Sequence, residues 1–240
     1  MHVHFSGGQL TMRWDLLDAC MAALGGEDFI APFLDLLREL GSDQVMVFAY
    51  AGDHASCLLS WNFTQSQLGS RLAADYLDGW YRQDPLCARV LAAKPGTVEL
   101  CRLGDVLPLM APDYRERFFT QPGIDGKEAV LAVGEARRLI LNLYRYDKAS
   151  VAPEPEALRF AGRLALLHFE SAGAASYPPP LAALSERERE VCLGVLSGKK
   201  TETIAGEIGV APSTVTTYRR RAYEKLGISS RAALFAICRA

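Results

Sequence analysis

The sequence predicts two units: an N-terminal α/β domain, an α-β-α sandwich around a mostly antiparallel five-stranded sheet over residues 1–175, and an all-α, four-helix unit over residues 182–240. Three observations carry this. Apolar spacing switches from a helical to a strand-like period near residue 44 and returns to helical near residue 153. Pro178, Pro179 and Pro180 cannot continue a helix and favour an extended spacer, so residues 176–181 read as a linker. The charge divides at the same place. Ten of the 26 Lys/Arg and six of the 28 Asp/Glu lie beyond residue 180, a local +4, which leaves −6 for the rest of a chain whose net charge is −2. A small basic unit on an acidic body implies different partners for the two.

The larger unit opens with two helices, "WDLLDACMAALG" and "EDFIAPFLDLLRELG", each with apolar residues three and four apart and each stopping at glycine. "QVMVFAYAG" and "ASCLLSWNF" pair as strands around "GDH". "ADYLDGWYRQDPLCARVLAAKPG" is helical with an interruption at Asp84-Pro85. "TVEL" is a short strand and "YRERFFTQ" a helix. "EAVLAVGEARRLILNLYRY" is a hairpin turning at "GEAR", and "PEPEALRFAGRLALLHFESAG" a closing helix with prolines in its first turn.

In the smaller unit Ser185 and Glu188 form a capping box for a helix with Val191, Cys192, Val195 and Leu196 inward. Thr201 to Ile208 is a second helix, stopped by Gly209. After the turn "GVAPS", a third begins at Ser213 or Thr214 and runs to Gly227; a fourth starts near Ser230 with Ala233, Leu234 and Ile237 inward. The second and third form a helix-turn-helix. On the third, Val215, Tyr218 or Arg219, Ala222 and Leu226 share the inner side. Ser213, Thr214, Thr216, Thr217, Arg220 and Arg221 face out, short at the N-terminal end and basic further on, a pattern that fits a major groove. Lys199, Lys200, Lys225 and Arg231 add cations for the phosphate backbone.

Residues 184–234, "LSEREREVCLGVLSGKKTETIAGEIGVAPSTVTTYRRRAYEKLGISSRAAL", resemble the DNA-binding domain of the LuxR-type regulators. The matching positions are Leu184, Arg187-Glu188, Glu190-Val191, Gly198, Ile204-Ala205, Thr214-Val215, Lys225-Leu226-Gly227 and Arg231. Ala211, Thr216 and Tyr218 depart from the usual residues on or near the reading helix, which bears on the base sequence read. The resemblance implies a cytoplasmic, one-component transcriptional regulator. Its partners are double-stranded DNA, expected as a roughly palindromic operator bound by a homodimer.

A phosphorylated receiver as input domain needs alternating β/α units and an early acidic pair, and neither is present. The layout instead resembles the autoinducer-binding sandwich of the same regulators. "WYRQDP" is similar to its aromatic-to-Asp-Pro segment, with Trp80 four residues before Asp84; in that family the aspartate accepts a hydrogen bond from an acyl-homoserine lactone amide. Asn142, the lone amide in "LILNLY", falls near a ligand-contacting position, and Trp61, Tyr76, Trp80, Asp84 and Asn142 are the candidate ligand-binding residues. The aromatics that hold the lactone ring are out of register: Arg71 and Asp75 stand there, with Tyr76 one place off. The expected effector is therefore a small molecule other than a typical acyl-homoserine lactone. A ligand-independent dimerising or protein-binding domain, and a lactone receptor, are the alternatives.

Other function classes find no support. No run of about 18 apolar residues indicates a membrane span, and "MHVHFSGGQL" lacks the pattern of a secretion signal. Six scattered cysteines without a CxxC read as reduced thiols, with no cofactor or metal expected. His2 and His4 lack a third ligand, and His54 and Cys57, at a hairpin tip and in the following strand, are expected to point apart. No paired catalytic constellation exists, so an enzyme is not expected.

Overall fold

A computed structural model describes residues 13–63, 72–124, 126–145, 153–172 and 177–239. His2, His4, Arg71 and the start of the expected linker at Ser176 lie outside them. The chain runs α1 (Trp14–Ala22), α2 (Ile30–Glu39), β1 (Gln44–Ala51), β2 (His54–Asn62), α3 (Leu72–Leu77), α4 (Pro85–Ala92), β3 (Val98–Arg102), α5 (Leu103–Val106), α6 (Pro112–Arg115), β4 (Gly126–Val133), β5 (Arg138–Arg145) and α7 (Pro155–Ser171). Four further helices follow: α8 (Glu186–Leu196), α9 (Thr201–Ile208), α10 (Pro212–Leu226) and α11 (Arg231–Cys238). The sheet order is β2-β1-β5-β4-β3 and every pairing is antiparallel.

Alternation along the strands builds two layers. Val45, Val47, Leu139, Leu141 and Leu143 pack with α1, α2 and α7. The opposite face presents Met46, Phe48, Tyr50, Leu131 and Ile140 to Tyr76, Leu86, Tyr114 and Phe118 from the helices of the other side. Gly162 lets α7 lie on β4: a Cβ there would come within 2.4 Å of Val130 Cγ1. Asp84 ends one helical stretch and starts the next, its Oδ1 accepting the Leu86 N–H at 2.9 Å with Pro85 at the first helical position. The sequence leaves α3 and the residues after it as one helix up to Asp84. Gly79, at φ 112°, breaks it earlier and turns the chain into a 3-10 turn over Trp80–Gln83.

The second layer continues into the C-terminal helices as one apolar core that includes Leu181, Val191, Val215, Leu226 and Leu234. Helix α11 packs on α3 and β2, and α10 also reaches β2. The prolines do not make an extended spacer. Pro179–Ala183 form a 3-10 turn with Pro180 and Leu181 buried, laid against β2. Strand β2 is the sheet edge, and covering it satisfies the usual need to protect one. Ser60 on β2 donates its hydroxyl to the carbonyl of Leu226 at 2.6 Å.

Candidate functional site

The reading helix is built locally. Gly209, at φ 69°, closes α9 in the left-handed conformation, and Pro212 opens α10 at its first position. Val215, Ala222 and Leu226 are buried against the other helices, and Tyr218 and Arg219 are half-buried. Ser213, Thr216, Arg220 and Arg221 are exposed, with Thr214 and Thr217 half-buried beside them. Thr216 and Thr217 park their hydroxyls on the carbonyls of Pro212 and Ser213, at 3.3 and 3.1 Å. Arg220 pairs with Glu224 at 2.7 Å on the helix surface, a contact that solvent weakens. Arg221 makes no ion pair among the described residues. Lys199 and Lys200, at the start of α9, share a surface depression with Arg219 and Arg231. Lys199 also pairs with Glu207 at 2.7 Å. Four cations around one concavity suit a phosphate backbone. Arg219 belongs to this group, which helix periodicity alone left undecided.

Lys225 is not on that surface. Its ammonium meets Glu188 of α8 at 2.7 Å and lies over the Trp61 ring at 5.9 Å. Burial acts to raise Glu188, but Lys225 and the Ser185 N–H, at 3.1 Å, outweigh it and hold the carboxyl below its usual range. Lys225 thus ties α10 to α8 and to the sheet edge, because the last turn of the reading helix faces the sandwich.

The second site is a small, partly open cavity in the sandwich, about 20 Å³ in free volume, roughly one water. Gln44, Tyr144 and Lys127 stand in register across β1, β5 and β4 and form one row of its floor; Met46 and Asn142 form the next. Leu72, Ala73 and Tyr76 of α3 wall one side, with Tyr114, Phe118 and Phe119 nearby. Asp84 is 3% exposed, and its Oδ2 accepts the Tyr76 hydroxyl at 3.0 Å. Burial, and then the Asp84 charge, push the Tyr76 and Tyr114 hydroxyls well up, so both stay protonated donors. Asn142 reaches backbone carbonyls only at 3.4 and 3.5 Å.

Of the five expected ligand residues, Tyr76, Asp84 and Asn142 line this cavity and the two tryptophans do not. Trp61 is in register with Val45, whose face carries the other layer. Trp80 packs edge-on to Phe118 at 5.8 Å and under the Arg117 guanidinium, so it touches the cavity wall only from behind. Sequence reasoning missed Lys127. It is 6% exposed and lies over the rings of Phe119 and Tyr144 at 5.5 and 5.7 Å. Burial pushes its ammonium pKa down, partly offset by Asp84. The available signal was its place two residues before Ala129 in an inward-facing alternation.

Residues 182–238 match the family described as bacterial regulatory proteins, luxR family. A putative HTH-type transcriptional regulator of Aeromonas salmonicida is 30% identical over 151 residues, which cover 52% of this chain and 77% of that protein. The chain belongs to the LuxR family of bacterial regulatory proteins. The probable transcriptional regulatory protein NarL of Mycobacterium tuberculosis is 52% identical over 58 residues, 24% of this chain and 27% of that relative. Among solved structures, the VqsR LBD domain from Pseudomonas aeruginosa is 17% identical with a TM-score of 0.49, over 67% of this chain and all but 2% of its own. Escherichia coli SdiA is 12% identical with a TM-score of 0.40, over 94% and 96%. This LuxR-family chain is a transcriptional regulator and not an enzyme. Among its described residues, no helix is long and apolar enough to cross a membrane, and no three His, Cys, Asp or Glu side chains are placed to hold a metal.

Proposed function

We propose that the chain is a one-component regulator in which a small molecule in the sandwich cavity biases how the helix-turn-helix is held for DNA. One observation carries this. The cavity and the end of the reading helix share the same sheet row. Asn62, Gln44, Tyr144 and Lys127 are in register across four strands. Gln44 lines the cavity, and a Cβ on Gly227, just after α10, would come within 3.1 Å of its Nε2. Helix α3 makes the second link, walling the cavity with Tyr76 and packing α11 against its surface. Because the free volume is near that of one water, a larger occupant seated inside the cavity displaces a wall, and α3 is a wall shared with the DNA-binding helices. A ligand shifts the equilibrium only by its differential affinity for the two arrangements.

DNA reading is assigned to Ser213, Thr214, Thr216, Thr217, Arg220 and Arg221, with Lys199, Lys200, Arg219 and Arg231 on phosphates. The deciding experiment is calorimetry and thermal melting of the full chain with acyl-homoserine lactones beside amides, aromatic acids and amines. Saturable binding that is lost in Asp84→Ala and alters operator affinity supports the reading. Unchanged melting with every compound, with full operator binding in their absence, favours the ligand-independent alternative.

A further inference from the structure

Lys127 is a charged side chain, more than nine-tenths buried, that lines a cavity. Among the described residues its ammonium makes no ion pair. It lies over the faces of Phe119 and Tyr144. Asp84 is the carboxylate lining the same cavity; it acts on Lys127 through space without forming an ion pair, and its oxygens, which accept the Tyr76 hydroxyl and the Leu86 N–H, keep acceptor capacity for one further donor. An ammonium buried without an ion pair is costly, and a core position on β4 is easily filled by Leu or Met instead. The arrangement is what a site for an anion requires: a desolvated cation, an aromatic collar, and an amide donor whose present bonds are long. Asn142 supplies that donor, one row from Lys127 on the neighbouring strand β5.

We propose that the cavity takes a small organic carboxylate whose charge pairs with Lys127 and whose N–H or O–H donates to Asp84. This rests on the reading of the cavity as the ligand site, and it names the ligand class. The two polar ends divide the orientation. The ligand's carboxylate is repelled from Asp84 and attracted to Lys127, while its donor group is useful only at Asp84. A neutral ester or lactone leaves Lys127 unpaired in a more enclosed site, and so loses the larger interaction.

The test uses the full chain and two matched pairs, 4-hydroxybenzoate with 4-hydroxybenzamide, and N-octanoylglycine with its methyl ester. Calorimetry and thermal melting are run on the wild type and on Lys127→Met, whose fold is checked by its operator binding. The expected result is that at least one acid binds tenfold or more tightly than its neutral partner, and that Lys127→Met abolishes this preference. If that variant does not fold, the acid-against-neutral comparison on the wild type decides alone. Equal or tighter binding of the neutral partners, or an acid preference that survives Lys127→Met, overturns the carboxylate inference and leaves the sensing reading standing. No binding of either member of either pair at millimolar concentration overturns the carboxylate inference, and the wider panel above decides the sensing reading.

Discussion

Arg220 and Arg221 are neighbours with different surroundings, and the difference predicts their behaviour. Among the described residues Arg221 has no ion pair to break before it meets DNA, whereas Arg220 first leaves Glu224. Replacing either with Ala is expected to cost about 1–3 kcal/mol of operator affinity if it reads a base. Footprinting at several salt concentrations checks this, and full occupancy with both arginines removed refutes the assigned reading surface. His168 makes a second prediction at this scale. It is 5% exposed, stacks on Phe29 at 4.0 Å and accepts the Gly25 N–H on Nδ1 at 3.2 Å. Burial lowers its pKa from 6.5 to about 4. The unfolded chain therefore binds more protons than the native one between those values. This contribution to stability is full above pH 6.5 and is lost as the pH falls toward 4, by up to about 3 kcal/mol. Urea unfolding across that range should show a shallower fall for His168→Gln, and parallel curves would refute the assignment.

At the scale of elements, the contact of α7 with β4 depends on the absence of a side chain. Gly162→Ala gains helix propensity worth under about 1 kcal/mol. It also drives a methyl to 2.4 Å from Val130 Cγ1, between a helix and the sheet, where neither backbone yields easily. Overpacking of this kind costs about 1–3 kcal/mol, so a net loss is expected. A midpoint of urea unfolding equal to or above the wild type contradicts it. Gly227 is constrained twice, by φ 65° and by Gln44 and Asn62 against its Cα. Those constraints come from different units of the chain, so the residue that ends α10 is also the place where α10 meets the sheet.

For the whole molecule, the short reading helix covers few base pairs, and two-fold pairing doubles the readout. A homodimer on half-sites about 10 base pairs apart, or a multiple, is the expectation; a monomer on DNA at saturating protein in sedimentation rules it out. The docked arrangement has its own test. Ser60→Ala removes the hydroxyl donor to the buried Leu226 carbonyl, at a cost of about 1–3 kcal/mol for an acceptor left unmet. Limited proteolysis should then cut faster between α7 and α8, where the C-terminal helices depart from the sandwich. Unchanged cleavage means that this hydrogen bond does not hold the two together.

The elements were legible because their signals are local. Strand alternation located both hairpins, the capping residues Ser185, Gly209 and Ser230 bracket the C-terminal helices, and the spacing of Val215, Ala222 and Leu226 set the inner face of the reading helix. The same locality made Asp84 readable, since the proline after it advertises a cap. Lys225, Trp61 and Lys127 were not legible, because each takes its role from a neighbour far away in the chain. Lys225 looks like one more cation on a basic helix until the helix end is laid on β2, and Trp61 looks like a pocket aromatic until its register with Val45 turns it to the other face. The chain by itself determined the two architectures, the helix-turn-helix and the family, since each follows from periodicity and short-range chemistry. Only the tertiary structure decided which charges stay on the exposed surface of the C-terminal helices, which line a cavity and which lock the two units together, because the cost or benefit of a charge is set by what surrounds it after folding.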